Sequence, residues 1–72
     1  MIATGLYRDR NKGTLVTVVA ATEINPRPLD RPEPDYHVVM VLPEGYTVHY
    51  GTEESNWHSY FEFVSNNDNN TG

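Results

Sequence analysis

The chain contains no cysteine. Disulfide bridges and thiolate metal sites are therefore excluded, and the composition fits a reducing compartment. No apolar run approaches the roughly 18 residues that a membrane-spanning helix needs. The opening residues, Met1 to Gly5, lack the charged region and apolar core of a signal peptide. These absences lead to the expectation of a soluble, intracellular protein, cytoplasmic in its compartment.

Basic side chains are few and one-sided. Arg8, Arg10, Lys12, Arg27 and Arg31 all fall within residues 1–35, where Asp9, Glu23, Asp30, Glu33 and Asp35 balance them. Residues 36–72 carry Glu44, Glu53, Glu54, Glu62 and Asp68 with neither Lys nor Arg, so the formal net charge of −5 comes from that half. Nonspecific nucleic-acid binding requires a basic patch, and this distribution argues against direct nucleic-acid binding. A partner with a basic surface would be steered toward the second half.

Catalytic sets are missing as well. Ser55, Ser59 and Ser65 have only His58 nearby in sequence. Neighbours in a strand point to opposite faces, so Ser59 and His58 are no dyad. Glu53-Glu54 reads as a solvated loop or helix start, and a chain of 72 residues encloses little volume for a substrate. No compact metal-ligand motif occurs. The expectation is a non-enzyme without metal or cofactor.

What is present is a β pattern. Ile2 to Arg8, a polar turn ending in Gly13, and the β-branched run Leu15 to Thr22 form a first hairpin. Pro26, Pro28, Pro32 and Pro34 then punctuate a segment that proline chemistry keeps out of helix and central strand. Residues 25–35 are therefore expected as an exposed, extended loop that helps contact a partner. Tyr36 to Leu42 and Tyr46 to Tyr50 flank Pro43-Glu44-Gly45, a three-residue hairpin loop with proline in the first turn position and glycine in the left-handed one. That loop pairs Leu42 with Tyr46, Met40 with Val48 and Val38 with Tyr50 on one apolar face. His37, Val39, Val41, Thr47 and His49 share the other face. There His37 and His49 stand diagonal to one another at about 7–8 Å between backbones. A metal held with His58 or a Glu as third ligand is conceivable there, but polar-face histidines are ordinarily surface residues.

From Trp57 onward two periodicities compete. Trp57, Tyr60, Phe61 and Val64 make a helical stripe, with Thr52 or Ser55 as N-cap, while Trp57, Phe61 and Phe63 fit strand alternation. The reading is a short helical turn over Trp57 to Tyr60 followed by a closing strand. Residues 65–72, rich in Asn, read as a disordered tail beyond a single 1–64 domain. The expected fold is mainly β, a small bent antiparallel sheet or SH3-like barrel of four to five strands with one short helical turn.

The stretch "LYRDRNKGTLVTVV" and the later Trp-then-Phe-x-Phe ending resemble short uncharacterised proteins of phages and prophages, which open on a Tyr-Arg-Asp, Gly, Val-x-Val hairpin and close on spaced aromatics. The likeness covers about the first quarter of the chain and its last ordered residues, not the proline-rich loop. It implies a phage accessory protein in a bacterial cytoplasm and transfers no functional residues.

Aromatic residues exceed what so small a core can bury, and Tyr and Trp dominate binding hot spots. Set beside the carboxylates, they give the functional expectation of an acidic protein-binding module. Its contact residues would be Glu44, Tyr46, Tyr50, Glu53, Glu54 and Trp57, with Arg27 and Arg31 from the loop. The concrete form is a phage-encoded inhibitor, of anti-defence type, on a basic surface of a host nucleic-acid-handling protein. The alternatives are an oligomeric nucleotide-binding protein, with edge strands supplying homo-oligomer contacts, and a phage structural or accessory component.

Overall fold

A computed structural model describes residues 1–24 and 33–66. Five antiparallel strands form one sheet: β1 (Gly5–Asp9), β2 (Leu15–Glu23), β3 (Asp35–Val41), β4 (Thr47–Glu53) and β5 (Phe61–Ser65), in the order β4-β3-β2-β1-β5. A helix, α1 (Glu54–Tyr60), connects the two edge strands. Of the two expected architectures this is the bent open sheet, since β4 and β5 remain edges and do not pair with each other. Among the described residues no helix is long and apolar enough to cross a membrane.

Local chemistry fixes each turn. In the first hairpin the Asp9 carboxylate accepts from the amides of Asn11 and Lys12 at 2.8 and 3.0 Å, and Gly13 takes the left-handed conformation at φ 76°. The second hairpin closes over Pro43-Glu44-Gly45 as expected. The Leu42 amide donates to the Tyr46 carbonyl at 2.9 Å, the Gly45 amide to the Leu42 carbonyl at 2.8 Å, and Gly45 has φ 99°. The register follows, with Val38 opposite Tyr50 and Met40 opposite Val48. An irregularity between Val18 and Ala20 leaves Val19 without a partner on β3. Such a bulge bends its strand.

The core lies on the face that α1 covers. Ile2, Tyr7, Val16, Val18, Tyr36, Val38, Met40 and Trp57 are buried, with Leu42, Val48, Tyr50 and Phe61 packed around them. Trp57 is fully enclosed (0% exposed) and meets Tyr7 edge-on at 5.1 Å between ring centroids. The Tyr7 hydroxyl donates to the Ala3 carbonyl at 2.8 Å, which ties down the chain ahead of β1.

Several expectations need correction. The helix begins at Glu54, one turn earlier than expected, and its N-cap is Glu53 without a side-chain cap, not Thr52 or Ser55. The capping carboxylate comes from outside the helix: Glu33 accepts from the Ser55 amide at 2.9 Å and from its hydroxyl at 2.7 Å. At the other end Arg10 holds the helix, its amide donating to the Tyr60 carbonyl at 2.9 Å and its Nε to the His58 carbonyl at 3.1 Å. A cation there complements the helix terminus. Ser65 belongs to β5, opposite Leu6, so the sheet runs one residue past the expected domain end. The rest of the expected tail, 67–72, and positions 25–32 of the proline-rich loop lie outside the described residues.

Candidate binding site

The topology sorts the charges by end. Strands of β1–β2 and β3–β4 turn back at the same end, so Arg10, Lys12 and Glu44 lie there. At the opposite end β2 finishes at Glu23, β3 starts at Asp35, β4 finishes at Glu53 and α1 starts at Glu54. Glu33 is bound to that helix start through Ser55. Five carboxylates from three separate stretches thus gather at one end of the sheet.

Asp35 stands directly opposite Glu53 in the β3–β4 register. Like charges facing across strands repel. Both residues have interactions of their own within the structure. The Glu54 carboxylate pairs with the Met1 ammonium group. The hydrogen bonds from the Ser55 hydroxyl and amide hold the Glu33 carboxyl below its ordinary pKa of 4.5.

Beside Asp35 and Glu53 opens a shallow groove of about 480 Å³, lined by these two and by Ile24, Gly51, Thr52 and Asn56. Ile24 is 43% exposed beside the carboxylates. An apolar patch next to anionic groups suits a long cationic side chain, whose stem lies on carbon while its head reaches oxygen. A smaller hollow of about 250 Å³ at the opposite end has an apolar floor of Val16, Met40, Leu42 and Phe61 with Asp9, Lys12 and Glu44 at its rim.

The structure divides the residues expected to make contacts. Glu53 and Glu54 join the acidic end. Glu44 and Tyr46 sit on the opposite hairpin tip, where Tyr46 is 70% exposed. Tyr50 is half-buried, its ring 6.1 Å from that of Trp57. Trp57 is not a contact residue at all, because the sheet and Phe61 enclose its indole. Arg27 and Arg31 lie outside the described residues. Glu23, Glu33 and Asp35 were missed as site residues. The signal that could have found them is their position flanking the ends of β2 and β3, which must meet the end of β4 in an antiparallel meander.

His37 and His49 take the diagonal positions expected and share the uncovered face of the sheet. Among the described residues no group of three or more His, Cys, Asp or Glu side chains is arranged to hold a metal ion. No family model matches the chain, and no curated protein or solved structure matches it significantly.

Proposed function

We propose that this chain is a small acidic protein-binding module that receives a basic surface of its partner at the end formed by Glu23, Glu33, Asp35, Glu53 and Glu54. The observation that carries the reading is the gathering of those carboxylates, from three stretches of chain, at one end of the sheet, where Asp35 and Glu53 line a groove together with the exposed Ile24. Anchoring by a partner's Arg or Lys would combine stem packing with charge-assisted hydrogen bonds. The reading involves no catalytic step. Its most concrete form is a phage-encoded inhibitor in a bacterial cytoplasm that covers the basic surface of a host nucleic-acid-handling protein. The resemblance of the first hairpin to phage proteins and the acid-only second half support that form.

The test is affinity capture from bacterial lysate at low and high salt, comparing the wild type with a Glu53→Lys/Glu54→Lys variant and a Glu44→Lys variant. A partner captured at low salt should be lost on reversal at the acidic end and retained by the Glu44 variant, whose change lies at the far end. Loss in both variants would indicate overall charge steering without a defined site. Capture indifferent to all three changes would refute the reading.

A further inference from the structure

The face of the sheet turned away from Trp57 carries a pair of facing imidazole rings on neighbouring strands. His37 on β3 stands opposite Gly51, and His49 on β4 stands opposite Val39. Nε2 of His37 lies 2.9 Å from Nδ1 of His49, with ring centroids 5.1 Å apart and planes inclined by 33°. Both side chains are exposed. At that distance one neutral imidazole donates its N–H to the lone pair of the other. The surroundings are open: a Cβ at Gly51 would meet nothing within 4 Å, the cross-strand neighbours are Thr22 beside His37 and Ala20 beside Val39, and the carboxylates Asp35 and Glu53 follow two positions along on the same face.

We propose that His37 and His49 form a two-imidazole chelate for a divalent transition-metal ion of the Cu(II) or Ni(II) type. With metal–nitrogen bonds of about 2.0–2.1 Å, two nitrogens in adjacent positions of a tetragonal ion stand about 2.9 Å apart. The pair already has that separation. A tetrahedral ion would spread them to about 3.3 Å and demand further protein ligands, and the described residues offer no third His, Cys, Asp or Glu. Tetragonal Cu(II) and Ni(II) accept water at the remaining positions, and Cu(II) binds such nitrogen sites most tightly of the divalent series.

Binding exchanges the imidazole–imidazole hydrogen bond for two metal–nitrogen bonds. The donor ring moves its proton to its outward nitrogen, and both rings turn until their lone pairs converge. Exposed rings can make that turn, and the hydrogen bond lost is a solvent-exposed one of small net value. No Lys or Arg lies among the cross-strand neighbours to oppose the incoming charge.

The experiment is titration of the full, untagged chain with Cu(II) and with Ni(II), followed by calorimetry and, for copper, by electron paramagnetic resonance. One ion should bind per chain, Cu(II) more tightly than Ni(II), with a hyperfine pattern from two nitrogens. His37→Asn or His49→Asn should weaken binding at least tenfold and leave one nitrogen in the pattern. His58→Asn, on α1, should change neither. Circular dichroism checks that the variants keep the sheet. Unchanged affinity in the His37→Asn/His49→Asn double variant, or no saturable binding by the wild type, overturns the proposal.

Discussion

The Trp57 indole stacks on the Phe61 ring at 4.2 Å and 21°, across the junction where α1 ends and β5 begins. This contact lets a helix of about two turns close the core between the two edge strands. Trp57 also packs on Tyr7 from β1 and approaches Tyr50 from β4.

Trp57→Ala should therefore cost about 3–5 kcal/mol. A domain this small has about 5 kcal/mol or little more to lose, so the variant should be largely unfolded at 37 °C by circular dichroism. Trp57→Phe should cost much less, because it keeps an aromatic ring and removes a buried Nε1–H that lacks a hydrogen-bond partner. Trp57 is the sole tryptophan, so its fluorescence tests the burial directly. Blue-shifted native emission that moves red in one denaturant transition is the expected result, and water-like emission from the native protein would refute it.

Gly5 should be the most sensitive glycine. Its φ is 141°, and an added Cβ would lie 2.6 Å from the Ser65 carbonyl oxygen and 3.0 Å from the Phe63 ring. Gly5→Ala combines backbone strain with a clash against the β5 backbone and should cost about 2–3 kcal/mol. For a domain of this size that lowers Tm by roughly 10 °C or more. Gly13→Ala meets nothing within 4 Å at φ 76°, so only strain acts and its cost should stay near 1 kcal/mol. Equal losses at both sites by thermal melting would show that β1 and β5 are not so closely paired.

The sequence could be read well where the information was local. Pro43-Glu44-Gly45 dictates a loop length, the loop dictates the register, and the register places His37 diagonal to His49. The acidic end could not be read in that way. Glu44 and Glu53 are successive carboxylates along the sequence, but β4 separates them by about 20 Å at roughly 3.3 Å per residue. Glu23, Glu33 and Asp35 join Glu53 only because β2, β3 and β4 run antiparallel. Trp57 shows a different limit. Aromatic spacing reveals a shared face, but not whether that face turns toward the core or toward solvent. Capping by Glu33 in place of Thr52 or Ser55 was hidden because the partner lies outside the helix.

The Glu33–Ser55 contact predicts a pH dependence with a definite sign. The Ser55 hydroxyl and amide favour the ionised carboxylate, so the folded-state pKa lies below the ordinary 4.5. Such a group contributes its stability fully above the unfolded-state pKa and loses it as pH falls through the folded-state value. The wild type should melt above Glu33→Gln at neutral pH, with the gap closing on acidification below about pH 4.5. The contribution is modest, because the carboxylate is exposed. A gap between the two melting curves that stays constant down to acidic pH would separate Glu33 from the helix start.

Two buried phenols set the opposite limit. Burial, the largest cause, raises the Tyr7 pKa above 10.0, and only the neutral phenol can donate to the Ala3 carbonyl. Burial likewise raises Tyr36, and the negative charges of Glu54 and Glu23 add to it. In both cases the folded state holds the neutral phenol more strongly than the unfolded chain does. Their contribution is therefore complete below pH 10 and drains away as pH rises from there through the elevated folded-state values. Denaturant melts should show stability falling steeply above pH 10, and phenolate absorbance should show a late-titrating fraction that appears together with unfolding. Tyr36→Phe removes one ionising group without removing its ring, so its stability should fall less steeply over the same alkaline range. Tyr7→Phe should do the same after an initial loss of about 1 kcal/mol at neutral pH for the hydrogen bond to Ala3. Parallel alkaline curves for wild type and Tyr36→Phe would mean that the Tyr36 hydroxyl is already in water, and that Glu23 and Glu54 do not act on it across the acidic end.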